Sequence, residues 1–263
     1  MAQGSLSRRD LNVLEKMKDP EANPLAAVMV DSNLPKDPNV TDTPVYERVS
    51  QKERGIVLAI QQLEMELAGL RPSMSTHPTD DYRRCVDDLG HLISENPRYA
   101  SARNNRAQAL RRLYGDTVIL PGQLDWKALI QNADKDDASQ AALAILSDLD
   151  EAISLLTPKS SFVPISPVTG NTLSQAHTQR AAIYYMTSKS IRPNVTISLG
   201  GRKEEKWTKL DFESAASRDF ALGGKYGNEI AKALAVSTNP TAKLCGQIVR
   251  EAMKKEYGPA FAQ

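Results

Sequence analysis

Few residues of this chain could carry chemistry, and they are scattered. Its three histidines, His77, His91 and His177, and its two cysteines, Cys85 and Cys245, are of types that ligate metals or act as base and nucleophile. None stands at a spacing from another His, Cys or acidic residue that would make a zinc or hydrolase constellation. His91 falls on the polar face of a helical pattern and reads as a solvated side chain. The run Ala221–Gly227, ALGGKYG, has the glycines of a phosphate loop but neither the Lys-Ser/Thr ending nor a preceding strand, so it reads as a helix end with turn glycines. No nucleophile–base pair can be assembled, and the expectation is a protein that is not an enzyme and takes no cofactor. What remains is a polar cluster, Arg103, Asn104, Asn105 and Gln108, echoed later by Gln175 and Gln179. Asparagine is a poor helix former with donors and acceptors to offer, so these six residues point to recognition of a protein or peptide.

Helices must position them. From Glu47 to Leu70 the apolar residues Ile56, Val57, Ile60, Leu63, Leu67 and Leu70 recur at three- and four-residue steps, the mark of one long helix. Arg71-Pro72-Ser73 breaks it. A second helix starts near Thr79-Asp80 and ends at Asn96-Pro97; a third runs from Ala100 to Tyr114 and stops at Gly115-Asp116. Further helices are predicted over about Asp137–Leu156, Asn171–Ser188, Trp207–Phe220, Asn228–Val236 and Thr241–Tyr257. Cys85 and Cys245 occupy apolar positions of such patterns, so both are expected to be free and buried. Val195–Leu199 alternates apolar and polar residues and predicts one strand of a small hairpin.

The chain has 263 residues with 33 Lys plus Arg against 32 Asp plus Glu. No global field draws it to nucleic acid or an anionic membrane. No stretch approaches the roughly 20 apolar residues that span a bilayer, and the first residues lack a signal peptide's apolar core. The expected location is cytoplasmic, with nuclear access. The stretch to Tyr46 carries Pro35, Pro38 and Pro44 and reads as an extended linker, so residues 1–45 are assigned to an N-terminal arm and Pro-rich linker. Within the arm, Leu11–Met17 suggests a short amphipathic turn or two.

The spacing in Ala100–Asp116, ASARNNRAQALRRLYGD, is that of the first helix of a tetratricopeptide repeat, a pair of antiparallel helices that needs stacked neighbours to bury its apolar face. The expected fold is all-α, a right-handed tetratricopeptide superhelix over residues 46–260. Three helical hairpins fall at about 46–97, 98–158 and 171–222, with capping helices over 226–257. Arg106-Ala107 and Arg180-Ala181 recur at equivalent positions, which predicts that both arginines pair with carboxylates between helices, whereas Arg111 and Arg112 are expected to face solvent. Segments 70–78, 117–135 and 191–206 are insertions, and Trp126 and Trp207, at or beside them, are expected to tack them to the stack.

Six pieces, VLEKMKDPEANPLA (13–26), DDLGHLISENPRYASARNNRAQALRRLYGD (87–116), LSDLDEAISL (146–155), QAHTQRAAIYY (175–185), DFESAASR (211–218) and TNPTAKLCGQIV (238–249), resemble the tetratricopeptide repeat protein 36 family, small proteins of three repeats. The resemblance implies an adaptor with co-chaperone character that binds a protein in its groove, with the seventy-kilodalton heat-shock chaperone as one partner. It equally implies a regulator that holds a metabolic enzyme of tyrosine breakdown. Many chaperone-binding domains of this type grip a terminal carboxylate with Lys-x-x-x-Asn, Asn and Lys-x-x-x-Arg on three successive inner helices. Here Asn105 alone fills its place: the first inner helix has no Asn, and Ala176 stands four residues before Arg180. Without paired cations the carboxylate loses charge-assisted hydrogen bonds of roughly 1.5–3 kcal/mol each. Tail capture by that mechanism is not expected, and a bound chaperone would use the groove wall near Arg103, Asn105 and Gln179.

Overall fold

A computed structural model describes residues 28–72, 77–120, 125–160, 162–192 and 195–257. Among them are eight α-helices: α1 (Thr43–Leu67), α2 (Pro78–Glu95), α3 (Ala100–Tyr114), α4 (Lys135–Leu156), α5 (Pro167–Ser190), α6 (Lys209–Lys225), α7 (Glu229–Thr238) and α8 (Pro240–Tyr257), with a 3-10 turn at Lys203–Lys206. Their starts follow from capping chemistry. The Asp42 side chain accepts from the Val45 N–H and that of Ser166 from Thr169, each just ahead of a proline in the first turn. Thr208 and Asp211 form a reciprocal capping box on α6.

Side-chain bonds give the helix directions. Lys52, early in α1, meets Glu95 at the end of α2 (2.8 Å), and Glu64, late in α1, accepts from Tyr82 near the start of α2 (2.9 Å), so the two are antiparallel. By contrast Glu53 meets Asn105 (2.8 Å) and Glu64 meets Arg112 (2.7 Å), so α1 and α3 run parallel. The same holds for α3 and α5, through Asn104–Gln175 (3.0 Å) and Arg111–Gln179 (3.1 Å). Ser174 to the Gly223 carbonyl (2.7 Å) and Arg180 to Asp219 (2.7 Å) set α6 antiparallel to α5. The result is an all-α, solenoid-like stack: α1, α3 and α5 lie side by side in one direction, and each helix packs chiefly on its chain neighbours.

The main core runs from α3 to α7 around Ile145, Leu149, Leu173, Ile183 and Phe212, and smaller clusters around Leu89 and Leu113 join α1 and α2 to α3. Two glycines let α6 sit close to its neighbours. A Cβ on Gly224 would lie 2.7 Å from the Lys232 Cβ and 2.8 Å from its Cα, and one on Gly223 would lie 2.5 Å from the Thr178 hydroxyl. The helix therefore continues through Gly223 and Gly224 to Lys225, and Gly227, with φ of 109°, makes the turn after it.

Several expectations are corrected. The Val195–Leu199 segment forms no hairpin: it is irregular, and its alternation instead buries Ile197 and Leu199 in the main core. Cys85 is buried but Cys245 is exposed, because α8 is shielded by the stack only at its first turn. The Pro-rich stretch was expected to be an extended linker; it instead turns at residues 32–33 and 38–39 and is tied to the array. Asp31 donates to the Ile165 carbonyl (2.9 Å), Ile165 to the Met29 carbonyl (2.8 Å), Asn39 to the Leu155 carbonyl (3.0 Å) and Ser166 to the Lys36 carbonyl (3.0 Å). The Leu11–Met17 expectation lies outside the described residues. Among the described residues no helix is long and apolar enough to cross a membrane.

Candidate partner-binding groove

A concavity of about 660 Å³ lies between α1, α3 and the segment that follows α3. Val57, Ile60 and Ala109 give it apolar surface, and Gln61 and Gln108 stand exposed along it. Residues 125–130 form one wall, held by main-chain bonds from Leu129 to the Arg112 carbonyl (3.1 Å) and from Ile130 to the Leu113 carbonyl (2.9 Å). Asp125 accepts from the Asp116 N–H (2.8 Å), and Arg112 donates to the Lys127 carbonyl. Gly115, with φ of 85°, permits this return of the chain; a Cβ there would stand 2.6 Å from that of Asp125.

The charges of the groove balance: Arg111, Arg112 and Lys127 against Glu64, Asp116 and Asp125. Arg111 holds Asp116 (2.7 Å) and Arg112 holds Glu64 (2.7 Å). Both arginines were expected to face solvent; instead they are built into the wall, because residues far along the chain supply their acceptors. Burial, then the neighbouring Glu64 carboxylate, pushes the Tyr82 phenol far above its ordinary value. With both arginines in ion pairs, the groove offers apolar surface and amide groups. Beside it in the chain, between the lining residues Asp125 and Lys127, Trp126 is 82% exposed, with Lys127 over its ring (5.2 Å). Trp126 therefore departs from its expected tacking role. Trp207 takes that role, packing edge-on against Tyr184 (5.1 Å) and Phe212 (5.2 Å).

The six residues singled out for recognition are dispersed. Asn104, 1% exposed, donates to Gln175 and accepts from Gln179 (2.8 Å). Gln179 is buried as well, so these amides join α3 to α5. Asn105 donates to Glu53, whose other oxygen accepts from the Tyr99 hydroxyl. Burial raises the Glu53 carboxyl above its ordinary value, and its bonds from Tyr99, Ser101 and Asn105 only partly offset this. Arg103 donates to the Pro97 carbonyl (2.9 Å) and to Asp148 (3.3 Å). Gln108 is exposed in the groove, and Gln175 is exposed on α5.

The two register arginines pair between helices. Arg106 meets Asp148 at 2.6 and 2.8 Å, and Arg180 meets Asp219 at 2.7 and 2.8 Å. Around the second pair the network widens: Arg180 also reaches Asp150 (2.6 Å), Arg202 bridges Asp150 and Glu204, Tyr184 donates to Glu204 (2.8 Å), and His177 bonds Asp219 (2.9 Å). This pins the third insertion to the stack. The acidic partners Glu53, Asp148 and Asp219 were not named from sequence. Asp148 had a signal, since it stands among the inward-facing Ile145, Leu149 and Ala152, where a charge needs a partner. Among the described residues no group of three or more His, Cys, Asp and Glu could hold a metal ion.

Parallel inner helices, antiparallel partners and one open groove define an all-α, solenoid-like protein. No family model and no solved structure matches the chain. It belongs to the family of the L-tyrosine degradation gene cluster protein hmgX of Aspergillus fumigatus, to which it is 35% identical over 259 residues, 96% of this chain and 93% of that one. It is 29% identical to tetratricopeptide repeat protein 36 of Danio rerio over 206 residues, 78% of this chain and 76% of that one. The resemblance read from the sequence is thus joined by a higher and longer one.

Proposed function

We propose that this chain is a non-catalytic interaction protein of three tetratricopeptide-type repeats that serves tyrosine breakdown by binding a protein of that process in the groove between α1 and α3. The observation that carries the reading is Trp126, 82% exposed between two residues that line a groove whose arginines are held in ion pairs. Exposed tryptophans beside apolar pockets are characteristic binding anchors. The named role of the Aspergillus relative supplies the process. Gln108 is the contact residue retained from the sequence reading, with Gln175 and Arg103 further along the inner surface. A metabolic enzyme is favoured over a chaperone tail, since the single clamp-like asparagine, Asn105, is occupied by Glu53. Such a protein would work in the cytoplasm.

The test is affinity purification with mass spectrometry from native extract, using wild type beside Trp126→Ala/Gln108→Ala. One stoichiometric enzyme of tyrosine breakdown lost from the variant supports the reading. A heat-shock chaperone lost instead favours the co-chaperone function, and partners unchanged by the variant place binding off this groove.

A further inference from the structure

Helix α8 ends the stack and is exposed all round beyond its first turn, its apolar face included. Leu244, Ile248 and Val249 are 56, 57 and 55% exposed, and Cys245 and Met253 are exposed too. The stack shields α8 only at its first turn, at Pro240 and at Lys243, which lies 3.5 Å from Glu213 of α6. Repeat arrays need a terminal element with a polar outer face, and a contiguous apolar stripe left open marks an interaction surface.

This stripe is symmetric in its own sequence. Reversing α8 about the midpoint between Ile248 and Val249 exchanges Leu244 with Met253 and Cys245 with Ala252, so between Leu244 and Met253 each apolar position maps onto an apolar one. Two copies of the helix laid antiparallel about a two-fold axis at that midpoint bury the same patch from both sides, which is what an isologous contact requires. The three- and four-residue spacing suits helix-on-helix packing. Charge permits it as well. The stripe carries none, and the one like-charged pair the reversal brings together, Lys243 with Lys254, is relieved because Lys243 is held by Glu213.

We propose that the chain forms a homodimer through antiparallel pairing of α8 with α8 of a second copy. The contact lies on a different element from the α1–α3 groove and does not depend on what that groove binds.

Light scattering on the full chain at micromolar concentrations tests it. Wild type should show twice the monomer mass, and Ile248→Glu the monomer mass with unchanged helical circular dichroism, since Ile248 is solvent-exposed in the single chain. A second variant, Val249→Cys, places a thiol beside the axis and should give a disulfide-linked dimer on mild oxidation. The native Cys245 is offset from its symmetry mate by about 10 Å along the helix and should not cross-link. A monomeric wild type would overturn the proposal and leave the stripe to another partner; a dimer that survives Ile248→Glu would overturn it by placing the contact elsewhere.

Discussion

Arg180 and Asp219 meet side-on across α5 and α6, two guanidinium nitrogens on two carboxylate oxygens at 2.7 and 2.8 Å. One helix pair earlier Arg106 and Asp148 form the same fork across α3 and α4 at 2.6 and 2.8 Å. The bidentate pair is thus a recurring inter-helix joint of the stack.

Removing one partner of a buried pair leaves the other charge uncompensated, at a cost of about 3–5 kcal/mol. Asp219→Asn should fall at the lower end of that range, because Arg180 keeps Asp150 at 2.6 Å. Asp148→Asn strands Arg106 and weakens the Arg103 contact, and should be the more destabilising. Urea unfolding of the two variants beside wild type checks the order.

Burial raises the Asp219 carboxyl, but bonds from Arg180 and His177 outweigh it and hold the group below its ordinary value. Its contribution to stability is therefore present above the ordinary carboxylate range and lost as pH falls through the depressed folded value. Unfolding free energy followed from neutral to acid pH should decline there in wild type and be flatter in Asp219→Asn. Equal slopes in the two proteins would assign the acid sensitivity to other carboxylates.

Glu53 behaves oppositely, since burial holds its carboxyl above the ordinary value despite the bond from Tyr99. The stability this raised group contributes is present below its unfolded pKa and fades as pH rises through the folded value, so at neutral pH the charged form relies on its donors. Tyr99→Phe removes one donor and should destabilise by about 1–3 kcal/mol, more at neutral than at acid pH. Thermal unfolding at two pH values reads the difference.

The two tryptophans should separate binding from packing. Trp126→Ala removes a side chain that is 82% exposed and should change stability by no more than about 0.5 kcal/mol while weakening partner capture. Trp207→Ala removes the ring wedged against Tyr184 and Phe212 and should destabilise by about 3 kcal/mol. Denaturant unfolding and a pull-down on the same samples give both readouts.

Gly115→Ala should disturb the groove selectively. The positive φ alone costs a non-glycine residue about 1–2 kcal/mol, and the added Cβ would meet Asp125, whose carboxylate anchors the wall at the Asp116 N–H. The expected result is faster amide exchange over residues 125–130 with the α5–α6 core unchanged.

Sequence by itself determined the helices and their order. Three- and four-residue apolar spacing fixes which side of a helix is buried, and prolines and capping residues fix where it starts and stops, so all eight helices lie close to where the pattern puts them. The register of Arg106 and Arg180 was legible for the same reason: equal positions in equivalent helices face equivalent partners. Tertiary structure alone decided which polar groups remain available. Asn104 and Gln179 look like recognition residues by type, yet Gln179 finds its acceptor in Asn104, 75 residues away, Asn104 finds its own in Gln175, 71 residues away, and Asn105 finds Glu53 52 residues away. Trp126 and Trp207 have the same side chain, and only the path of each insertion leaves one exposed and packs the other, half-buried, against aromatics. The apolar stripe of α8 is likewise clear in the sequence, but its exposure is not. Local pattern reports the periodicity of a helix, whereas burial depends on what remote parts of the chain bring against it.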